Sequence, residues 1–139
     1  MFYPTYMEKT YTIREVAGFT GVSIDTLRYY ERIGLIHRVD RLLNTHRRYT
    51  QSDILWIHFL LKLRATGMSI GQMLLYARLQ RIGDSTLDER IALLKGHHEQ
   101  VETSVQQMQE CLAILDYKIT LYESRLLTCE AEKVKETEP

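Results

Sequence analysis

The sequence predicts a mostly α-helical protein: a compact basic head of short helices in helix-turn-helix order, then one long helix that needs a partner. Three observations carry this reading. Helix start and stop signals recur at short intervals between residues 12 and 83. Apolar residues then repeat in heptads from Leu87 to Leu126. Charge divides between the same two parts. Residues 11–80 hold ten Lys/Arg against five Asp/Glu, and residues 81–139 hold seven against twelve, although the 139-residue chain has a net charge of zero. A basic half beside an acidic half points to an anionic partner for the first.

The elements follow in order. Thr12-Ile13-Arg14-Glu15 is a capping box, a hydroxyl with a Glu three residues on, and it opens a helix through Val16 and Ala17. Gly18 and Gly21 bracket Phe19-Thr20 and suit a tight turn. Ser23 is the next N-cap and opens Ile24 to Arg32, with Gly34 placed as a C-terminal glycine cap. The stretch from Arg38 to Tyr49 has no helical period, is rich in arginine, and reads as a short hairpin or extended loop. Thr50-Gln51-Ser52-Asp53 starts a third helix that Gly67 ends, and its apolar residues Ile54, Ile57, Leu60 and Leu61 fall at helical spacing. Ser69-Ile70-Gly71-Gln72 is another capping box, opening a fourth helix that closes near Gly83.

From there the pattern changes. Leu87, Ile91, Leu94, His98, Val101, Val105, Met108, Leu112, Leu115, Ile119, Tyr122 and Leu126 are separated by alternating steps of four and three. A stripe this narrow over roughly 60 Å, at about 1.5 Å per residue, is too long for a small domain to bury. It calls for a helix of similar length, most simply the same helix of a second copy. His98 is the one polar position on it, and a single polar residue on a seam serves register more often than it binds metal, although a His98/Glu102 pair across a dimer has the chemistry for zinc. The expected organisation is an N-terminal tail at 1–10, a head at 11–81, a linker at 82–86, a dimerisation helix at 87–127 and a frayed charged tail at 128–139.

Several function classes are disfavoured. No run approaches 18 consecutive apolar residues, and Met1 to Tyr6 lacks the regions of a signal peptide, so a cytoplasmic protein without membrane contact is expected. Cys111 and Cys129 cannot make a disulfide framework and are not spaced as a ligand pair. No Ser/His/Asp order, carboxylate pair or metal constellation suggests an enzyme, and no cofactor is expected.

Double-stranded DNA is the anion that the head suits. In a helix-turn-helix unit the second helix enters the major groove with its early residues near base edges. With Ile24 and Leu27 facing inward, Asp25, Arg28, Tyr29 and Arg32 face out, and Tyr30 is open to either side. Arg28 and Arg32, one turn apart, can neutralise phosphates or reach guanine edges. Arg41, His46, Arg47, Arg48 and Tyr49 suit backbone contacts that fix register without reading sequence. Together with the helix starts, the expected interface is Thr12, Arg14, Ser23, Thr26, Arg28, Tyr29, Arg32, His46, Arg47, Arg48 and Tyr49.

Tyr11 to Ala17, then Thr20 to Ile36, the Arg47-Arg48-Tyr49 segment with Asp53-Ile54, and Thr66 to Ile70 closely resemble the MerR family of transcription regulators. That resemblance implies a winged helix-turn-helix head and a homodimer joined by an antiparallel coiled coil. It also implies a pseudo-palindromic promoter site, bent and untwisted in response to an effector so that RNA polymerase engages both promoter elements. Asp53 to Leu60 with Leu63 to Met68, and Asp116-Tyr117-Lys118-Ile119, look like the aldehyde- and electrophile-responsive AdhR/NmlR branch. The reactive cysteine of that branch would fall at Lys62, so no thiol is present there to be modified. The residues after Leu127 are too few for a separate ligand domain. An effector would therefore lodge near Tyr76 and the partner's helix end around Tyr117 and Tyr122. The competing reading is effector-independent DNA binding, or a protein-assembly module whose coiled coil recruits a partner while the head binds protein.

Overall fold

A computed structural model describes residues 9–37 and 48–137. The order is β1 (Tyr11–Thr12), α1 (Ile13–Thr20), α2 (Ile24–Arg32), β2 (Arg48–Tyr49), α3 (Gln51–Ala65), α4 (Ile70–Ile82), a 3-10 turn (Asp84–Thr86) and α5 (Leu87–Thr137). β1 and β2 pair antiparallel, Tyr11 against Tyr49 and Thr12 against Arg48.

The helix starts are side-chain chemistry. Thr12 Oγ1 accepts from Glu15 N–H at 3.1 Å, and Thr12 N–H donates back to Glu15 Oε1 at 3.2 Å. Thr50 and Asp53 repeat this reciprocal pair at 3.2 and 2.8 Å. Ser23 and Ser69 accept from Thr26 and Gln72 N–H. Each cap satisfies a backbone donor that the first turn leaves without an intrahelical acceptor. At the end of α2, Gly34 takes φ +86°, and Leu35 N–H returns to Tyr30 carbonyl at 2.8 Å. This turns the chain so that Leu35 and Ile36 enter the core, where both are 1% exposed or less.

Two expectations change. The turn after α1 is not bracketed by two glycines. Gly18 lies inside α1, and Gly21 alone takes the left-handed conformation, at φ +74°, with its N–H on Ala17 carbonyl at 2.9 Å. A Cβ built on Gly18 meets nothing within 4 Å. Gly18→Ala is therefore expected to stabilise the head by about 0.5–1 kcal/mol, read by urea unfolding, because it removes helix-opposing backbone entropy without a clash. The second change concerns residues 128–137, which continue α5 instead of fraying. Among them Ala131, with Glu and Lys at spacings of three, favours the helix over the loose tail that charge alone suggests.

The chain divides between Lys95 and Gly96 into two units. The first is the head. Val16 from α1, Leu27 and Tyr30 from α2, Tyr49 from β2, Ile57 and Leu60 from α3 and Met73 from α4 meet in its core, with Leu93 and Leu94 from the start of α5 packed against them. Trp56 donates from its indole Nε1 to Leu35 carbonyl at 2.9 Å and stacks on Tyr76 at 5.7 Å, which ties α3 to the end of α2 and to α4. The second unit is the remainder of α5, an unbroken helix of 51 residues in all. No helix among the described residues is long and apolar enough to cross a membrane.

Candidate nucleic-acid interface

α2 buries one side and offers the other. Leu27 is fully buried and Tyr30 is 2% exposed, while Asp25, Arg28, Tyr29 and Arg32 are exposed. The helical period that seats Leu27 and Tyr30 in the core pushes these four outward. Tyr30 thus belongs to the inner face, where Arg64 Nη1 donates to its hydroxyl at 2.6 Å. The arginine satisfies a buried phenol across 34 positions of sequence, and no local pattern signals that pairing. On the outer face the Arg32 guanidinium stands 5.8 Å from the Tyr29 ring centroid. This cation–π contact orders a flat aromatic and a cation side by side, a surface suited to a sugar-phosphate edge or a thymine methyl.

The remaining expected contacts fall into two groups. Ser23 and Thr26 sit at the start of α2, joined by an Oγ to Oγ1 hydrogen bond of 2.8 Å, with Ser23 also holding Thr26 N–H. Their first role is to build the helix start, and Ser23 remains exposed there. Thr12, Arg14 and Arg48 form the second group. The strand pairing sets Arg48 beside Thr12, the cap of α1, and Arg14 is exposed in the first turn of that helix. Arg14 in the first turn of α1, and Arg48 paired in backbone register with its cap, add positive charge at residues adjoining a helix start, which favours an anion. His46, Arg47 and Arg41 lie outside the described residues.

Tyr49 is corrected. Expected among the contacts, it is fully buried in the head core. Pairing with Tyr11 puts alternate residues of β2 on opposite sides, so Arg48 stays half-buried while Tyr49 points inward. Lys9, exposed and 5.5 Å from the Tyr11 ring centroid, adds a cation next to β1 that the sequence reading passed over. Its position just ahead of the capping box was the available signal.

Along α5 the seam residues divide as well. Leu87, Ile91, Val105, Met108, Leu112, Leu115, Ile119, Tyr122 and Leu126 are exposed by 48 to 67% in the single chain. Leu94 differs, packing in part on the head core. Val101 is half-buried, and His98 is exposed with Nδ1 3.1 Å from Glu102 Oε1 on the same helix. His98, Val101, Glu102, Val105, Gln106 and Gln109 line a shallow concavity of about 430 Å³. Cys111 and Cys129 are free thiols, both exposed. Among the described residues no group of three or more His, Cys, Asp or Glu could hold a metal ion.

A model of the MerR family regulatory protein matches residues 12–49 of the chain, the stretch that contains α1, α2 and β2. The transcriptional regulator AdhR of Bacillus subtilis is 38% identical over 89 residues, 64% of each chain. A solved structure of a MerR family regulator from Listeria monocytogenes superposes with a TM-score of 0.83 at 38% identity, covering 91% of this chain and 95% of that one. Another, of HiNmlR, a MerR family regulator lacking the sensor domain and bound to promoter DNA, gives a TM-score of 0.77 at 34% identity over 84% of this chain and 92% of that one.

Proposed function

Because this chain belongs to the MerR family of transcription regulators, we propose that it works as a homodimer on a pseudo-palindromic promoter site and controls transcription by distorting that DNA. The observation that carries this reading is the outward face of α2, where Arg28, Tyr29 and Arg32 stand exposed over a helix fixed from behind by Leu27 and Tyr30. Arg28 and Arg32 approach bases and phosphates in the major groove. Arg14 and Arg48, with Lys9 against the Tyr11 ring of β1, hold the backbone and set register.

Two copies join through α5. An antiparallel pairing that sets Leu87 opposite the partner's Leu126 and Val105 opposite the partner's Met108 matches every seam position with another seam position. The exposed apolar side chains of the seam support this pairing, since a stripe of that length left in water favours association.

In this reading the trigger for distortion is an effector. A second reading, DNA binding without an effector, is favoured by the likeness to a relative described as lacking the sensor domain, 92% of which this chain covers. Lys62, exposed on α3 in the place of the branch's reactive cysteine, agrees with it.

Fluorescence anisotropy on the promoter duplex of its own gene, against a scrambled duplex, tests the proposal. If each head neutralises about three phosphates, affinity falls roughly 10³-fold between 50 and 200 mM salt. Arg28→Ala is expected to cost about 1–3 kcal/mol of binding and to relax sequence preference at its contact. Equal, salt-insensitive binding to both duplexes would reject the DNA reading in favour of an assembly module. Adding an aldehyde to the same assay separates the two regulatory readings: a change in promoter distortion supports a sensor.

A further inference from the structure

The passage from α4 to α5 is tied together more heavily than a short turn requires. Gly83 takes φ +107°, ψ −158°, a region open to glycine and strained for any residue with a Cβ. Its carbonyl accepts from Thr86 N–H at 3.0 Å, from Thr86 Oγ1 at 2.8 Å and from Arg90 Nη2 at 3.1 Å. Thr86 is 4% exposed, and its hydroxyl also lies 2.6 Å from Leu79 carbonyl on the last turn of α4. The same hydroxyl oxygen accepts from Arg90 Nε at 3.1 Å, and Arg90 Nη2 stands 4.0 Å from Asp84 Oδ1. One planar guanidinium on the first turn of α5 therefore grips the turn backbone and a buried hydroxyl that itself reaches back to α4. One turn further on, Leu93 and Leu94 pack on the head core.

We propose that Arg90 is a positioning residue: with Thr86 and Gly83 it fixes how α5 departs from α4, and so sets the half-site spacing that a pair of heads accepts on DNA. This rests on the dimeric reading above. In the dimeric reading the paired seams link two copies of this joint, so the joint bears on where the second head meets its half-site. Each added base pair displaces a half-site by about 3.4 Å and rotates it by about 34°. A stiff joint refuses that change and a slack one absorbs it. The stiff joint also raises the effective concentration of the second head at the matching spacing, because a rigid link of the right span wastes little of its reach.

A role confined to stability would look different. Loss of a helix-end clamp weakens the head as a whole, so half-site and full-site binding fall together and the preferred spacing stays where it was.

The experiment uses the full chain and the operator mapped by footprinting at its own promoter. Affinities are measured for a single half-site duplex and for operators with zero, one and two base pairs inserted at the centre. Wild type is expected to lose about ten-fold or more at the first insertion. Thr86→Val and Arg90→Gln are expected to bind the half-site within about two-fold of wild type, to bind the native spacing about ten-fold more weakly, and to bind all spacings within about three-fold of one another. Thr86→Ser, which keeps the hydroxyl, restores the sharp wild-type profile. Variants that keep that profile, or that lose half-site and full-site affinity in equal proportion, overturn the proposal. A wild-type chain that sediments as a monomer or shows no spacing optimum overturns the dimeric reading itself, an outcome separate from failure of the clamp.

Discussion

The double variant Leu112→Glu/Ile119→Glu is expected to sediment as a monomer and to lose about 10²-fold or more in operator affinity, with the head still folded. Both residues lie on the seam one heptad apart, 55% and 53% exposed in the single chain. Pairing of two α5 helices would bury both. Glutamates there would bring four uncompensated carboxylates into an apolar seam, where a charge without a partner is strongly disfavoured. The loss on DNA follows from linkage. A dimer binds its second half-site as an intramolecular event, which raises overall affinity about 10²–10⁴-fold over one head alone. Leu112 and Ile119 lie outside the head core, so urea unfolding should show a head that still folds cooperatively. A stable dimer in this variant, seen by sedimentation velocity, would remove the seam assignment. A monomer that still bound the full operator at wild-type affinity would detach DNA binding from dimerisation.

The helix starts were legible because caps are short-range chemistry. Thr12 with Glu15, Ser23, Thr50 with Asp53 and Ser69 act within three residues of themselves, and each begins a helix where its pattern places it. The heptad was legible for the same kind of reason, since the period of a long helix is written along the chain. Choices that depend on distant neighbours were harder to read. Gly18 and Gly21 look alike in sequence, and only the closure of the helix-turn-helix, with Val22 driven into the core, decides which of them turns left-handed. Leu94 satisfies both the seam period and the head core, and sequence spacing cannot rank those demands.

The outward face of α2 followed from its period, with Leu27 inward and Arg28, Tyr29 and Arg32 outward. Tyr49 did not. β2 has two residues, too few to show alternation, and its orientation is set by pairing with Tyr11, 38 positions earlier. In an arginine-rich segment a tyrosine reads as a member of the charged surface until that pairing is known. The joint at Gly83 reads in the sequence as a linker at 82–86 with a glycine near a helix end, and nothing there signals a clamp. The convergence of Thr86 and Arg90 on its carbonyl depends on the three-dimensional path of the turn.

Two tyrosines that look equivalent in sequence should therefore part company in experiment. Tyr49 is fully buried, and Tyr49→Ala is expected to cost about 3–5 kcal/mol of head stability, as removal of a large buried aromatic does. Against a typical domain stability of about 5–15 kcal/mol, this leaves the head marginal, and its loss of DNA binding should track its loss of fold. Tyr29 is 43% exposed and rests against Arg32. Tyr29→Ala should move stability by no more than about 0.5 kcal/mol, because a surface truncation leaves no cavity. It should nonetheless weaken operator binding by about 1–3 kcal/mol, through the lost contact and the freed Arg32 side chain. Urea unfolding and anisotropy on the same two variants decide the matter. If Tyr49→Ala melts like wild type, the burial of β2 is misplaced. If Tyr29→Ala unfolds the head, its ring serves the core and the outer face of α2 must be redrawn around Arg28. A binding defect in Tyr29→Ala with the fold intact would make the same helix both the core of the head and its reading edge, divided between Leu27 and Tyr30 on one side and Arg28, Tyr29 and Arg32 on the other.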